Sequence, residues 1–134
     1  MKKVILSFYI LLITTTVFCQ SQWHEYKNAD GIVFSVQDLS CEEMQHKFIQ
    51  VENTTNKKAK ISYQVEIQYE NHCVGCGASP EYKSEITLLP GEKATGGCNY
   101  TIPARLDILV ANANLPDLRF VSFAIKDISI KLLD

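Results

Sequence analysis

The chain has 134 residues, with 13 Lys and Arg against 15 Asp and Glu and a formal net charge of −2. That length supports one domain with a single modest core. A mildly acidic balance carries none of the basic stripes that nucleic acid selects, which excludes nucleic-acid partners.

Met1-Lys2-Lys3 is a short positive start, and Val4 to Phe18 is uncharged and almost wholly apolar or hydroxylic. With Val17 and Cys19 small enough for the −3 and −1 positions, residues 1–19 read as a cleavable secretory signal. The run is shorter than the ~20 apolar residues a membrane helix needs. The alternatives are an uncleaved anchor and a lipoprotein acylated on Cys19, against which the bulk of Phe18 speaks. Cleavage leaves residues 20–134 as the domain, with 11 cations against 15 acids once Lys2 and Lys3 are gone, a net charge of −4. No later run is long or apolar enough to span a bilayer, so no membrane span is expected after cleavage.

Ile32, Phe34 and Val36 alternate with polar or smaller residues after the turn signal Asp30-Gly31, which predicts a strand to Leu39. Cys41 to Lys47 has room for one helical turn. Phe48 to Glu52 carries Ile49 and Val51 in phase. After the turn-rich Asn53–Lys58, the run Ala59 to Tyr69 alternates without a miss, predicting Ile61, Val65 and Ile67 in the core and Gln64, Glu66 and Gln68 in water. These two strands are expected to pair as an antiparallel hairpin. Glu85 to Leu89 is a short strand stopped by Pro90-Gly91, and Leu106, Ile108 and Val110 mark another. In Phe120 to Leu132 the apolar parity changes near Lys126-Asp127, the signature of a β-bulge. About seven short strands in one domain predict an all-β antiparallel sandwich.

Ile49-Gln-Val-Glu-Asn53, a polar turn, the alternating strand and Leu88-Leu-Pro-Gly-Glu92 resemble the immunoglobulin-like and fibronectin-like sandwiches of bacterial envelope proteins, over about residues 46 to 100. The resemblance implies a single immunoglobulin-like β-sandwich. The whole chain is also similar to small exported bacterial proteins without an assigned function, so no activity comes with it. The antibody-type cysteine–tryptophan–cysteine signature is absent, since Trp23, the only tryptophan, precedes every mature cysteine.

Four cysteines remain in the mature chain: Cys41, Cys73, Cys76 and Cys98. Strand direction gathers them, with His46 and His72, at one end of the sandwich. In an exported domain they read first as two disulfides of unknown pairing, pinning the loop His72–Tyr82 to its neighbours. Two other chemistries use the same residues. Four thiolates suit a tetrahedral zinc or copper(I) site, although only Cys73-Val-Gly-Cys76 has ligand spacing. A reactive Cys-x-x-Cys needs a lowered pKa, and Gly77-Ala-Ser-Pro80 begins no helix to provide it.

Other constellations carry less. His24, His46 and His72 sit among polar neighbours and read as solvated. Glu66 and Glu70 share a wet strand face, and Gly96-Gly97 precedes no helix that would cradle phosphate. Asn53-Thr-Thr55 and Asn99-Tyr-Thr101 match the glycosylation sequon, which matters only in a eukaryotic secretory route. The expectation is therefore a non-catalytic module, exported to the periplasm, cell surface or medium, with no cofactor, that binds a protein or glycan or supports the envelope. The loop carrying His72 and Tyr82 is the candidate binding surface. The alternative is a small thiol-redox or metal-handling protein using Cys73 and Cys76.

Overall fold

A computed structural model describes residues 22–99 and 105–134. The expected signal segment 1–19 and its cleavage site lie outside the described residues, as does part of the second sequon. Within them the chain forms nine strands and one 3-10 turn, Pro80–Tyr82, with no α-helix. The strands are β1 (His24–Ala29), β2 (Ile32–Cys41), β3 (Met44–Asn53), β4 (Lys58–Tyr69), β5 (Cys73–Val74), β6 (Lys83–Leu88), β7 (Lys93–Thr95), β8 (Asp107–Asn112) and β9 (Phe120–Leu133).

All pairings are antiparallel and fall into two sheets. The first runs β1-β2-β3, with β7 and β8 sharing the far side of β3. The second is centred on β4, which has β9 along one side and β5 and β6 in succession along the other. The inner faces share one core: Ile32 and Phe34 from β2, Ile49 and Val51 from β3, Ala59 to Tyr69 at alternate positions of β4, Leu88, Leu106, Ile108 and Ile125. The rings of Phe34 and Tyr63 meet edge to face at 5.5 Å between the sheets. The Tyr69 hydroxyl donates across to the Leu109 carbonyl at 2.7 Å. Two facing antiparallel sheets about one core make a sandwich-like all-β fold.

Two tight turns set the register of the first sheet. Asp30 and Gly31 both have positive φ, 48° and 80°, the geometry a two-residue hairpin requires. At the opposite, upper end, Cys41 faces Met44 across a two-residue turn, with Glu42 at φ 54°. This corrects the helical turn expected at Cys41–Lys47. Met44 to Lys47 continue as strand because β2 and β8 hold them from both sides. β1 was not anticipated: its sequence HEYKNA is polar and mostly exposed, so alternation has nothing to report there.

The expected hairpin of residues 48–52 with 59–69 does not form. β3 lies in the first sheet and β4 in the second, joined by an arch over residues 54–57. Both strands carry a fully buried apolar face, and placing those faces opposite each other buries both, whereas pairing the strands side by side would leave them in one layer. Asn53 holds the arch. It is fully buried, and its Nδ2 donates to the carbonyls of Lys57, Leu88 and Leu89 at 2.8, 3.1 and 3.2 Å. Its Oδ1 accepts from Thr55 N and Oγ1 at 3.0 and 2.7 Å. Thr54 N and Oγ1 bind the Gly31 carbonyl, tying the arch to the first hairpin turn.

The parity change in β9 is a bulge, as expected. Ser62 faces Ser129 while Gln64 faces Lys126, so one residue of β4 spans two of β9, and Asp127 takes φ 50°. The extra residue returns Ile128 and Ile130 to the side of Ile125, against the core.

Candidate functional site

β4 presents Ile61, Tyr63, Val65 and Ile67 inward, as its alternation requires. Its outer face differs from expectation. Gln68 is exposed and Glu66 half-buried beside Lys126, but Gln64 is only 1% exposed. The reason is the segment after β5, which folds onto the outer side of the sheet. Gln64 Nε2 donates to the Gly75 carbonyl at 2.6 Å and to the Gly77 carbonyl at 2.7 Å. Gly75 has φ 75° and rests so closely on β4 that any Cβ would collide with the Val65 carbonyl oxygen. A long polar side chain on a strand is thus the post to which the loop is fixed.

The same segment contains the Cys73–Cys76 disulfide, with the two Cα atoms 5.7 Å apart. The other bridge joins Cys41, at the upper end of β2, to Cys98, again with Cα atoms 5.7 Å apart. The four cysteines therefore form two separate bridges and not one cluster. Among the described residues no group of three or more His, Cys, Asp or Glu is arranged to hold a metal. The first bridge also does not pin the loop His72–Tyr82 to a neighbour; it closes a ring inside it. Gln64, which no motif singled out, does the pinning.

The two bridges differ in what they contribute. Closing a chain between residues 57 apart removes enough unfolded-state entropy for about 4 kcal/mol, whereas the small Cys73–Cys76 ring gives about half that. They also differ in access. Cys41 is 6% exposed and its partner Cys98 is exposed, while Cys76 is exposed and Cys73 half-exposed. Both sulfur-bearing residues of the small ring line an open cleft of ≈ 220 Å³ on the outer face of the second sheet, whose floor includes Glu66, Gln68, Phe123 and Lys126.

His72 and Tyr82, the ends of the expected binding loop, sit against different neighbours. His72 is exposed and stacks on Tyr69 at 4.8 Å between ring centroids. It borders a cleft of ≈ 360 Å³ completed by the loop Asn114–Leu118, where Leu115 is 51% exposed. The Glu70 N–H donates to the Arg119 carbonyl at 2.9 Å, which keeps the two loops together. Tyr82 lies under the Arg105 guanidinium, 5.5 Å from its ring centre. Periodicity gave no sign of the Asn114–Leu118 loop as part of a surface, because such a loop carries no repeating pattern.

One further expectation changes. His46 is 4% exposed and stacked on Phe48 at 5.4 Å, not solvated, because β2 and β8 flank it on both sides. A cleft of ≈ 420 Å³ lies beside it, with Asp38 and Gln45 at its rim. The Asn53 sequon lies on a carboxamide whose nitrogen already makes three hydrogen bonds inside the fold. Glu66 and Glu70 each face a cation of their own, Lys126 and Arg119. Among the described residues, no helix is long and apolar enough to cross a membrane. In comparisons with known proteins, no family model, no curated protein and no solved structure matches the chain.

Proposed function

We propose that the chain is an exported, non-catalytic binding module of immunoglobulin-like type, working in the periplasm, at the cell surface or outside the cell. The observation that carries this reading is the pair of loops at the upper end. His72 and Asn114–Leu118 border one cleft, which rests on the Tyr69 ring and a backbone hydrogen bond. A rigid scaffold presenting paired loops is how sandwich domains bind. Leu115 offers an apolar contact, and His72, Asn114 and Asp117 offer polar ones, a mixture that suits a protein or glycan partner. Two disulfides fit an oxidising compartment, and the basic, then apolar, N-terminus fits export.

The test is expression of the full chain in a bacterial host, followed by fractionation and intact-mass measurement. The reading expects protein in the exported fraction, beginning at Gln20, with no free thiol. A photo-crosslinker at Leu115 should capture a discrete species there that one at Lys131 does not. Cytoplasmic protein that keeps residues 1–19 and has five free thiols contradicts export. Equal capture from both positions contradicts the loop assignment.

A further inference from the structure

The bridge Cys73–Cys76 is set apart from Cys41–Cys98 in three ways. It closes a ring of one turn of chain, neither of its cysteines is buried whereas Cys41 is, and its ring is held to β4 by bonds that do not involve the sulfurs. Gln64 holds the Gly75 and Gly77 carbonyls, and Val74 pairs with Ile67, through hydrogen bonds that do not depend on the sulfurs. Opening this bridge therefore leaves in place the two sheets and the Cys41–Cys98 link, of which Cys41 is buried. An exposed disulfide whose opening does not unfold its domain is the kind that exchanges with thiols, while structural bridges such as one tying a buried Cys41 to a distant segment resist reduction.

We propose that Cys73–Cys76 is a thiol-exchange site, with the Cys76 sulfur as the point of attack. The incoming group is a thiolate, from a small molecule or from a protein cysteine. It bonds to Cys76 Sγ and the Cys73–Cys76 bond breaks, leaving the electron pair on Cys73 Sγ, which takes a proton from water. The product is a mixed disulfide on Cys76. A second thiol then attacks the mixed disulfide, so that two thiols are oxidised to one disulfide as the ring is reduced to two thiols. Cys76 is the more exposed residue of the pair, and the half-exposed Cys73 is the leaving group. Glu66 and Lys126, which line the same cleft, pair with each other and leave it without net charge. Only the short 3-10 turn Pro80–Tyr82 follows Cys76, and no α-helix begins there to hold a thiolate at low pH, so exchange is stoichiometric and its pace follows ionisation of the incoming thiol.

The experiment uses the full oxidised chain with reduced glutathione under native conditions, an acid quench, alkylation and peptide mapping. The expected first product is a glutathione adduct on Cys76, with Cys73 alkylated. Modification at Cys73 and Cys76 should run at least about tenfold ahead of Cys41 and Cys98, and the rate should rise about tenfold per pH unit below the pKa of the attacking thiol. In Cys73→Ser, the free Cys76 should form a stable adduct with oxidised glutathione while the melting curve stays cooperative. A protein dithiol such as thioredoxin should leave both cysteines reduced without a lasting adduct, which distinguishes the two thiol sources. Simultaneous reaction of all four cysteines, a first adduct on Cys41, Cys98 or Cys73, or no reaction short of unfolding would each overturn the proposal.

Discussion

Asn53 sits where β3 leaves the first sheet, enclosed by protein, with three carbonyls around its nitrogen and two donors on its oxygen. Asn53→Ala strands those carbonyls beneath the arch and should cost on the order of 2–4 kcal/mol in chemical denaturation. Gln64 teaches the same lesson on the opposite face. Its alternation phase marks it as wet, and a wet glutamine replaced by alanine would cost under about 0.5 kcal/mol. With two loop carbonyls on its nitrogen, Gln64→Ala should instead cost about 1–3 kcal/mol. Val65→Ala, next to it but facing the core, should cost about 1.5–3 kcal/mol through lost burial and a residual cavity. The two curves separate the mechanisms: only Gln64→Ala should raise amide exchange at Gly75 and Gly77. Tyr63 adds a pH dependence. Burial raises its hydroxyl well above the usual phenol range, opposed by the neighbouring Ser84. The folded state then keeps a proton that the unfolded chain loses near pH 10, so stability is intact below about pH 10 and falls above it, by up to about 1.4 kcal/mol per pH unit. Tyr63→Phe should flatten that alkaline fall in pH-dependent melting, the remainder coming from Tyr69, which burial also raises.

At the scale of the element, strands with one wet and one dry face were legible and their partners were not. The alternation of Ala59 to Tyr69 and the parity change in β9 are local and survive into the structure. Pairing depends on which dry faces meet, and that is decided between residues far apart in the chain. Hence a hairpin was expected where the arch of Asn53 carries the chain between sheets. β1 was illegible because an edge strand with both sides exposed has no reason to alternate. The cysteines were visible and their grouping was not, since strand direction places them at an end without saying which sheet or face each occupies. The bridges belong to this scale as well. Cys98→Ser opens the long link and should cost roughly 4 kcal/mol, while Cys73→Ser should cost about 2 kcal/mol or less. Equal losses from the two substitutions would contradict the division into one structural and one surface bridge.

On the scale of the whole molecule, two sheets share a core that one tyrosine–phenylalanine contact and one cross-sheet hydrogen bond help to register. The Cys41–Cys98 bridge closes the upper end of the first sheet, and the Gln64-anchored ring decorates the second. The surface that this scaffold offers is built from loops and includes the Cys73–Cys76 disulfide beside an open cleft. The most direct test of this arrangement is a non-reducing peptide map of protein recovered from an oxidising compartment. The structure requires one cross-linked pair joining the Cys41 and Cys98 peptides, an internal link between Cys73 and Cys76, and no free thiol among these four. A link from Cys41 or Cys98 to either member of the Cys-x-x-Cys pair would contradict it, because the ring on the outer face of the second sheet and the bridge at the end of β2 would then have to be one structure.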